Sequence, residues 1–259
     1  MPRRPLLLVG AVLTVLTALV AVGCSSEDEP LTAEQAAAIV AAGLLTEADL
    51  PSADWIVTEG AEQDEEAAGP DTDDLFASTE ACQDLAAAID ALTGNEEDGT
   101  SARPNLAEAS RSFEFGGSNQ LVLRTVEASV SVPTDPAEVE AGFEALRQVM
   151  NADAVRPCFE AAFTGALATG GEMGLTIDRI DVTEPAKVSA NAIAIAIDLE
   201  ATAVIIPIVM HLEMHFWPEG PAVGELMFME LNSGLLKDAM PEILEAARAR
   251  LEAAVKANQ

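Results

Sequence analysis

The chain has 259 residues, of which 44 are acidic and 13 basic, giving a net charge of −31. A surface this acidic repels phosphate backbones and anionic headgroups, which excludes nucleic acid as a partner. The length suffices for one domain with a substantial core.

Residues 1–23 read as a leader. Arg3 and Arg4 form a charged start, Leu6 to Val22 an apolar run, and small residues precede Cys24. Ala21-Val22-Gly23-Cys24 resembles the lipobox of bacterial lipoproteins. That resemblance implies diacylglycerol on the Cys24 thiol, cleavage before Cys24, and anchoring on the outer face of the cytoplasmic membrane. Several acyl chains, such as palmitate, hold firmly where one is marginal. Residues 24–32 then form an acidic tether and 33–259 the folded domain. Without Arg3 and Arg4, 11 basic residues face 44 acidic ones, a net −33.

A first helix starts after Thr32, with Gln35 placed to close a capping box and Ala36, Ile39, Val40 and Gly43 on one face. Leu44, Leu45 and Leu50 read as a buried turn before a short strand at Trp55–Thr58. Residues 60–74 are acidic and rich in turn formers, which suits a loop. A second helix, capped by Ser78 or Thr79, carries Cys82, Leu85, Ile89 and Leu92 on one stripe. Ser112–Phe115 and Gln120–Val132 flank Gly116-Gly117-Ser118-Asn119, the pattern of a hairpin.

Pro136 sits at the first position of a helix whose stripe is Val139, Phe143, Leu146 and Met150. A shorter helix begins near Pro157, and Met173–Val182 reads as a strand. Asp238–Ala257 is the closing helix, with Met240, Ile243, Leu244, Ala247, Leu251 and Val255 on one face.

Between them, Ala190–Leu231 reads as three antiparallel strands. Ile193, Ile195, Ile197 and Leu199 alternate along the first. Ile206, Ile208, Met210, Leu212, Met214 and Phe216 alternate along the second. The other face of the first strand carries Ala192, Ala194 and Ala196. So small a set of side chains fits either a closely packed helix or open solvent, or the wall of an apolar cavity. Met210, Met214, Met227 and Met229 fall on neighbouring strands and suit core packing or an adaptable apolar site. The seven residues together are the candidate ligand contacts.

His211, Glu213 and His215 point to one side of the second strand. The histidines are about 13 Å apart along it, too far to share one ion. A solvated or hydrogen-bonded face is expected there, with no metal or cofactor. Neither a nucleophile elbow, a phosphate loop nor a zinc-protease motif occurs, so no catalytic residue is assigned.

With Cys24 acylated, Cys82 and Cys158 remain, each on a helical face expected to be buried. An oxidising compartment favours a disulfide between them, with two buried thiols as the alternative.

The order of elements, the Ala21–Cys24 motif, the LLTEADLP run at Leu44–Pro51 and the widely spaced Cys82 and Cys158 together are similar to actinobacterial cell-surface lipoproteins. More loosely they resemble the extracellular sensor domain of mycobacterial serine/threonine kinases. The resemblance implies an α+β domain: a twisted, mainly antiparallel sheet with amphipathic helices packed on it and a cleft for a ligand. The expected function is a non-enzymatic, sensor-like binding domain for an apolar envelope molecule. The alternative is a lipoprotein that docks on another envelope protein.

Overall fold

A computed structural model describes residues 31–52, 54–59, 82–83, 105–115, 123–151, 153, 155–161, 175–203, 205–232, 234 and 236–258. The expected leader, Cys24, the 60–74 loop, the body of the second helix and the Gly116–Asn119 turn lie outside these residues. The description below concerns the compact unit Ala33–Gln259. No helix among the described residues is long and apolar enough to cross a membrane.

The unit is an α+β fold built on one open, seven-stranded antiparallel sheet. The strands are β1 (Trp55–Glu59), β2 (Asn105–Phe115), β3 (Leu123–Pro133), β4 (Leu175–Thr183), β5 (Ile193–Ala203), β6 (Ile206–Glu219) and β7 (Ala222–Leu231). They lie in the order β1-β2-β3-β7-β6-β5-β4. Two meanders, β1–β3 and β4–β7, are thus joined where β7 pairs with β3.

The expected strand pattern from Ile193 to Leu231 is present, because alternation lets each strand bury one face. β5 is buried on both faces from Ala192 to Ile197. β2 is longer than the four residues expected. Asn105–Ser112 is rich in Ala, Ser and Glu, weak strand formers, yet it pairs along β3, and its last two residues, Arg111 and Ser112, pair with β1 as well.

The two faces are covered differently. On one, helix α2 (Pro136–Val149) and the helical residues 155–161 cover β5. Phe143, Leu146, Val155, Cys158 and Phe159 pack there with Ile193, Ile195 and Ile197. Cys82 and Cys158 are bridged, 76 residues apart in sequence, and both are buried in this cluster. The opposite face is covered by α1 (Ala33–Gly43) and α3 (Leu236–Asn258), which pack on each other and on β2, β3 and β7.

Two glycines permit that second layer. A Cβ on Gly43 would stand 2.8 Å from Leu251 Cδ1, so α1 crosses α3 closely because Gly43 has none. A Cβ on Gly224 would stand 2.4 Å from the Trp217 ring. Helix contacts are also pinned by hydrogen bonds. Gln35 Nε2 donates to the Asn258 carbonyl at 3.2 Å, and Arg250 Nε donates to the Leu44 carbonyl at 3.0 Å. A reciprocal capping box forms at Thr46 and Asp49, around the short helical turn Glu47–Asp49.

Candidate functional site

The β5–β6 and β6–β7 pairings decide which candidate residues meet. Ala194 pairs with His215 and Ala196 with Glu213, whereas Ile195 pairs with Met214 and Leu199 with Met210. Paired residues share a face. The alanines and the methionines therefore stand on opposite faces of the sheet and do not line one cavity. The alanine stripe is almost fully buried, on the face that also carries His215, Trp217 and Gly224. Its small side chains lie beside the large His215 and Glu213 of β6, and their burial overturns the solvent-exposed reading of that stripe.

The methionines do gather. Met214 pairs with Met227, Leu212 with Met229 and Met210 with Leu231. All four methionines are half-buried, unlike the fully buried Leu226 and Phe228 on the other side of β7. Along β6 the stripe is continuous: Ile206, Ile208, Met210, Leu212, Met214 and Phe216 share this face.

Its border is acidic. Glu127 pairs with Met227 and Glu225 with Phe216. Burial pushes the Glu127 carboxyl above its usual range. Burial also raises Glu225, against a 3.4 Å hydrogen bond donated by Ser129, and the charges of Glu127 and Glu108 add to the rise.

A separate cleft of about 820 Å³ opens beside α2, lined by Val139, Phe143, Glu144, Arg147, Asn191 and Pro218 among others. None of the seven candidate ligand residues lines it.

The two histidines belong to the face that α1 and α3 cover, opposite the one where Leu212 and Met214 pack against the cluster under α2, and they form a chain with two carboxylates. His211 Nδ1 donates to Asp198 Oδ1 at 2.7 Å, and its Nε2 lies 3.4 Å from Glu213 Oε2. His215 Nε2 donates to Glu213 Oε1 at 2.6 Å. The hydrogen-bonded reading of this face describes it better than the solvated one, since His215 is only 1 % exposed. Burial alone would raise Glu213, but hydrogen bonds from His211 and His215 bring it down to about 2. His211 is raised, chiefly by Glu213 and against its own burial, with Asp198 adding to the effect. His215 Nδ1 is buried with no hydrogen-bond partner among the described residues, and the ring meets Phe228 edge-on at 6.2 Å. Among the described residues no group of His, Cys, Asp and Glu is arranged to hold a metal ion.

Sequence reasoning missed a third feature, the end of the β5–β6 hairpin. Ile205 is 85 % exposed, Ile206 49 % and Val209 47 %. Between Glu200 and His211 no residue is charged. That gap was the available signal, obscured because Ile206 and Ile208 continue the alternating strand pattern.

Compared with known protein families and with curated proteins, the chain matches no family and no relative.

Proposed function

We propose that this protein is a lipid-anchored, extracytoplasmic, non-enzymatic binding domain for an apolar envelope molecule, held against the methionine face of β6 and β7. The observation that carries the reading is the gathering of Met210, Met214, Met227 and Met229, half-buried, around Leu212. Unbranched, polarisable side chains adapt to apolar guests of varied shape. Glu127 and Glu225 at the border disfavour an anionic headgroup and suit a neutral or cationic one. The histidines support binding rather than chemistry, since their hydrogen bonds run to Asp198 and Glu213 within the fold. The anchor at Cys24 rests on the lipobox-like sequence and concerns a residue outside those described.

The test is native mass spectrometry of the protein purified from its own membranes, joined to titration with the uncharged fluorophore N-phenyl-1-naphthylamine. A co-purifying apolar mass, and dye binding weakened by Met214→Gln with Met227→Gln, support the reading. A clean protein mass together with no dye response sinks it. The second reading is a lipoprotein that docks on another envelope protein, and the exposed Ile205 and Ile206 are what favours it.

A further inference from the structure

We infer that the end of the β5–β6 hairpin is a membrane wedge: Ile205, Ile206 and their neighbours insert shallowly among the acyl chains of a lipid bilayer. This inference goes beyond the methionine face and stands on a different set of residues.

Four observations point to a bilayer. First, the apolar character is not confined to one face. Ile206 and Ile208 share the methionine face, Pro207 and Val209 lie on the opposite one, and Ile205 is at the turn. A protein partner covers one side of a ribbon, whereas apolar residues on both sides and at the end fit an apolar medium that surrounds it. Second, the ribbon projects. β7 ends at Leu231, opposite Met210, so Ile206–Val209 of β6 run past it by about 13 Å.

Third, the open backbone edge on the β6 side of that projection is capped, while on its other side β5 is paired with β4 as far as Leu175, opposite Ala203. Val209 exchanges hydrogen bonds with Asn232: its N–H donates to Asn232 Oδ1 at 2.9 Å and its carbonyl accepts from Asn232 N at 2.7 Å. Edge-facing groups alternate along a strand, so the next residue to face the open edge is Pro207. Proline has no N–H, and the donor that would be costly in hydrocarbon is missing at that position. Fourth, the depth is bounded. Thr202 donates to Asp178 at 2.7 Å, and Asp178 is exposed. That ion, together with the exposed Glu200 that pairs with Val209, marks the water side, so Val209 stays at the boundary and roughly 10 Å of ribbon lies beyond it, the depth of an interfacial insertion.

The remaining charge on the domain opposes anionic lipid. The wedge is therefore expected to prefer neutral bilayers. Once seated, it would set the lower end of the Ile206–Phe216 stripe among acyl chains.

The test uses the full chain in vesicles of phosphatidylcholine. Ile205→Cys is labelled with the environment-sensitive fluorophore NBD, with Ala48→Cys as an exposed comparison and the unsubstituted protein as the blank for Cys24. Insertion predicts a blue-shifted label at 205 that doxyl-labelled lipid quenches and iodide does not, while the label at 48 stays water-like. Ile206→Asp in the labelled protein returns the 205 label to water-like emission. Adding phosphatidylglycerol to the vesicles weakens the shift. A 205 label that iodide quenches freely overturns the inference. So does a label shielded from iodide but untouched by doxyl lipid, which would mean that protein covers the tip. Dye binding at the methionine face is read separately, so either proposal can fail without the other.

Discussion

Glu230, almost fully buried at the end of β7, accepts a hydrogen bond from the Leu236 backbone N–H at 2.9 Å. It thereby places a carboxylate on the first turn of α3, where the unpaired N–H groups of a helix concentrate positive potential. Arg124 Nε, 3.6 Å away, shares the charge. Removing the carboxylate leaves both a buried donor and a largely buried guanidinium without it. Glu230→Ala should destabilise the domain by about 2–4 kcal/mol, and Glu230→Gln by less, since the amide oxygen still accepts. Urea denaturation of the two variants checks the order.

Gly224 is the position where any side chain meets a rigid ring. An added Cβ stands 2.4 and 2.5 Å from Trp217 Cζ2 and Cε2 and 3.0 Å from Leu251 Cδ2. Trp217 is buried and has little room to yield. Gly224→Ala should cost about 1–3 kcal/mol. The near-ultraviolet signal of Trp217 should change with it, which a loss of stability elsewhere would not produce.

The Asp198–His211–Glu213–His215 chain predicts a stability profile with two flanks. Glu213 is lowered from 4.5 to about 2, so its contribution is whole above pH 4.5 and is lost as pH falls towards 2. His211 is raised from 6.5, so its contribution is whole below pH 6.5 and fades as pH rises through the raised value. The cluster is therefore most stabilising between about pH 4.5 and 6.5. Thermal melts across pH should show a fall in Tm on the alkaline side, and His211→Gln should flatten that flank and also shrink the acidic one, since His211 helps to lower Glu213.

The Cys82–Cys158 bridge closes a span of 76 residues. By chain entropy such a loop contributes roughly 4 kcal/mol. Reduction, or the double change to alanine, should lower stability by about that amount, and the buried position of both sulfurs predicts slow reduction of the native state. Denaturant midpoints with and without reductant measure the first, and thiol release over time the second.

The strands from Ile193 to Leu231 were legible because their apolar residues recur every second position. The face each residue occupies was not. It depends on the register across the turn, and one residue more in that turn would have moved Met214 beside Ala194 instead of Ile195. That is why alanines and methionines looked like one candidate site in the sequence and proved to be two surfaces. The closing helix was readable from its stripe, although it starts at Leu236 rather than Asp238. Asn105–Ser112 gave no strand signal because pairing along β3, not propensity, holds it extended. The disulfide was one of two open readings, settled by bringing residue 158 beside residue 82.

The central place of β7 has a consequence for how the fold is reached. Ser129 and Glu225, neighbours across β3 and β7, are 96 residues apart. A chain made from its N-terminus completes β1–β3 and β4–β6 first, each ending in an open edge, on β3 and on β6. Both edges wait for one segment, Ala222–Leu231, which follows the other six described strands in the chain. Until then two half-sheets with bare flanks coexist on the same nascent polypeptide, the condition under which neighbouring molecules cross-pair. The keystone arrives last, and the interval before it arrives is when this molecule is most in need of isolation.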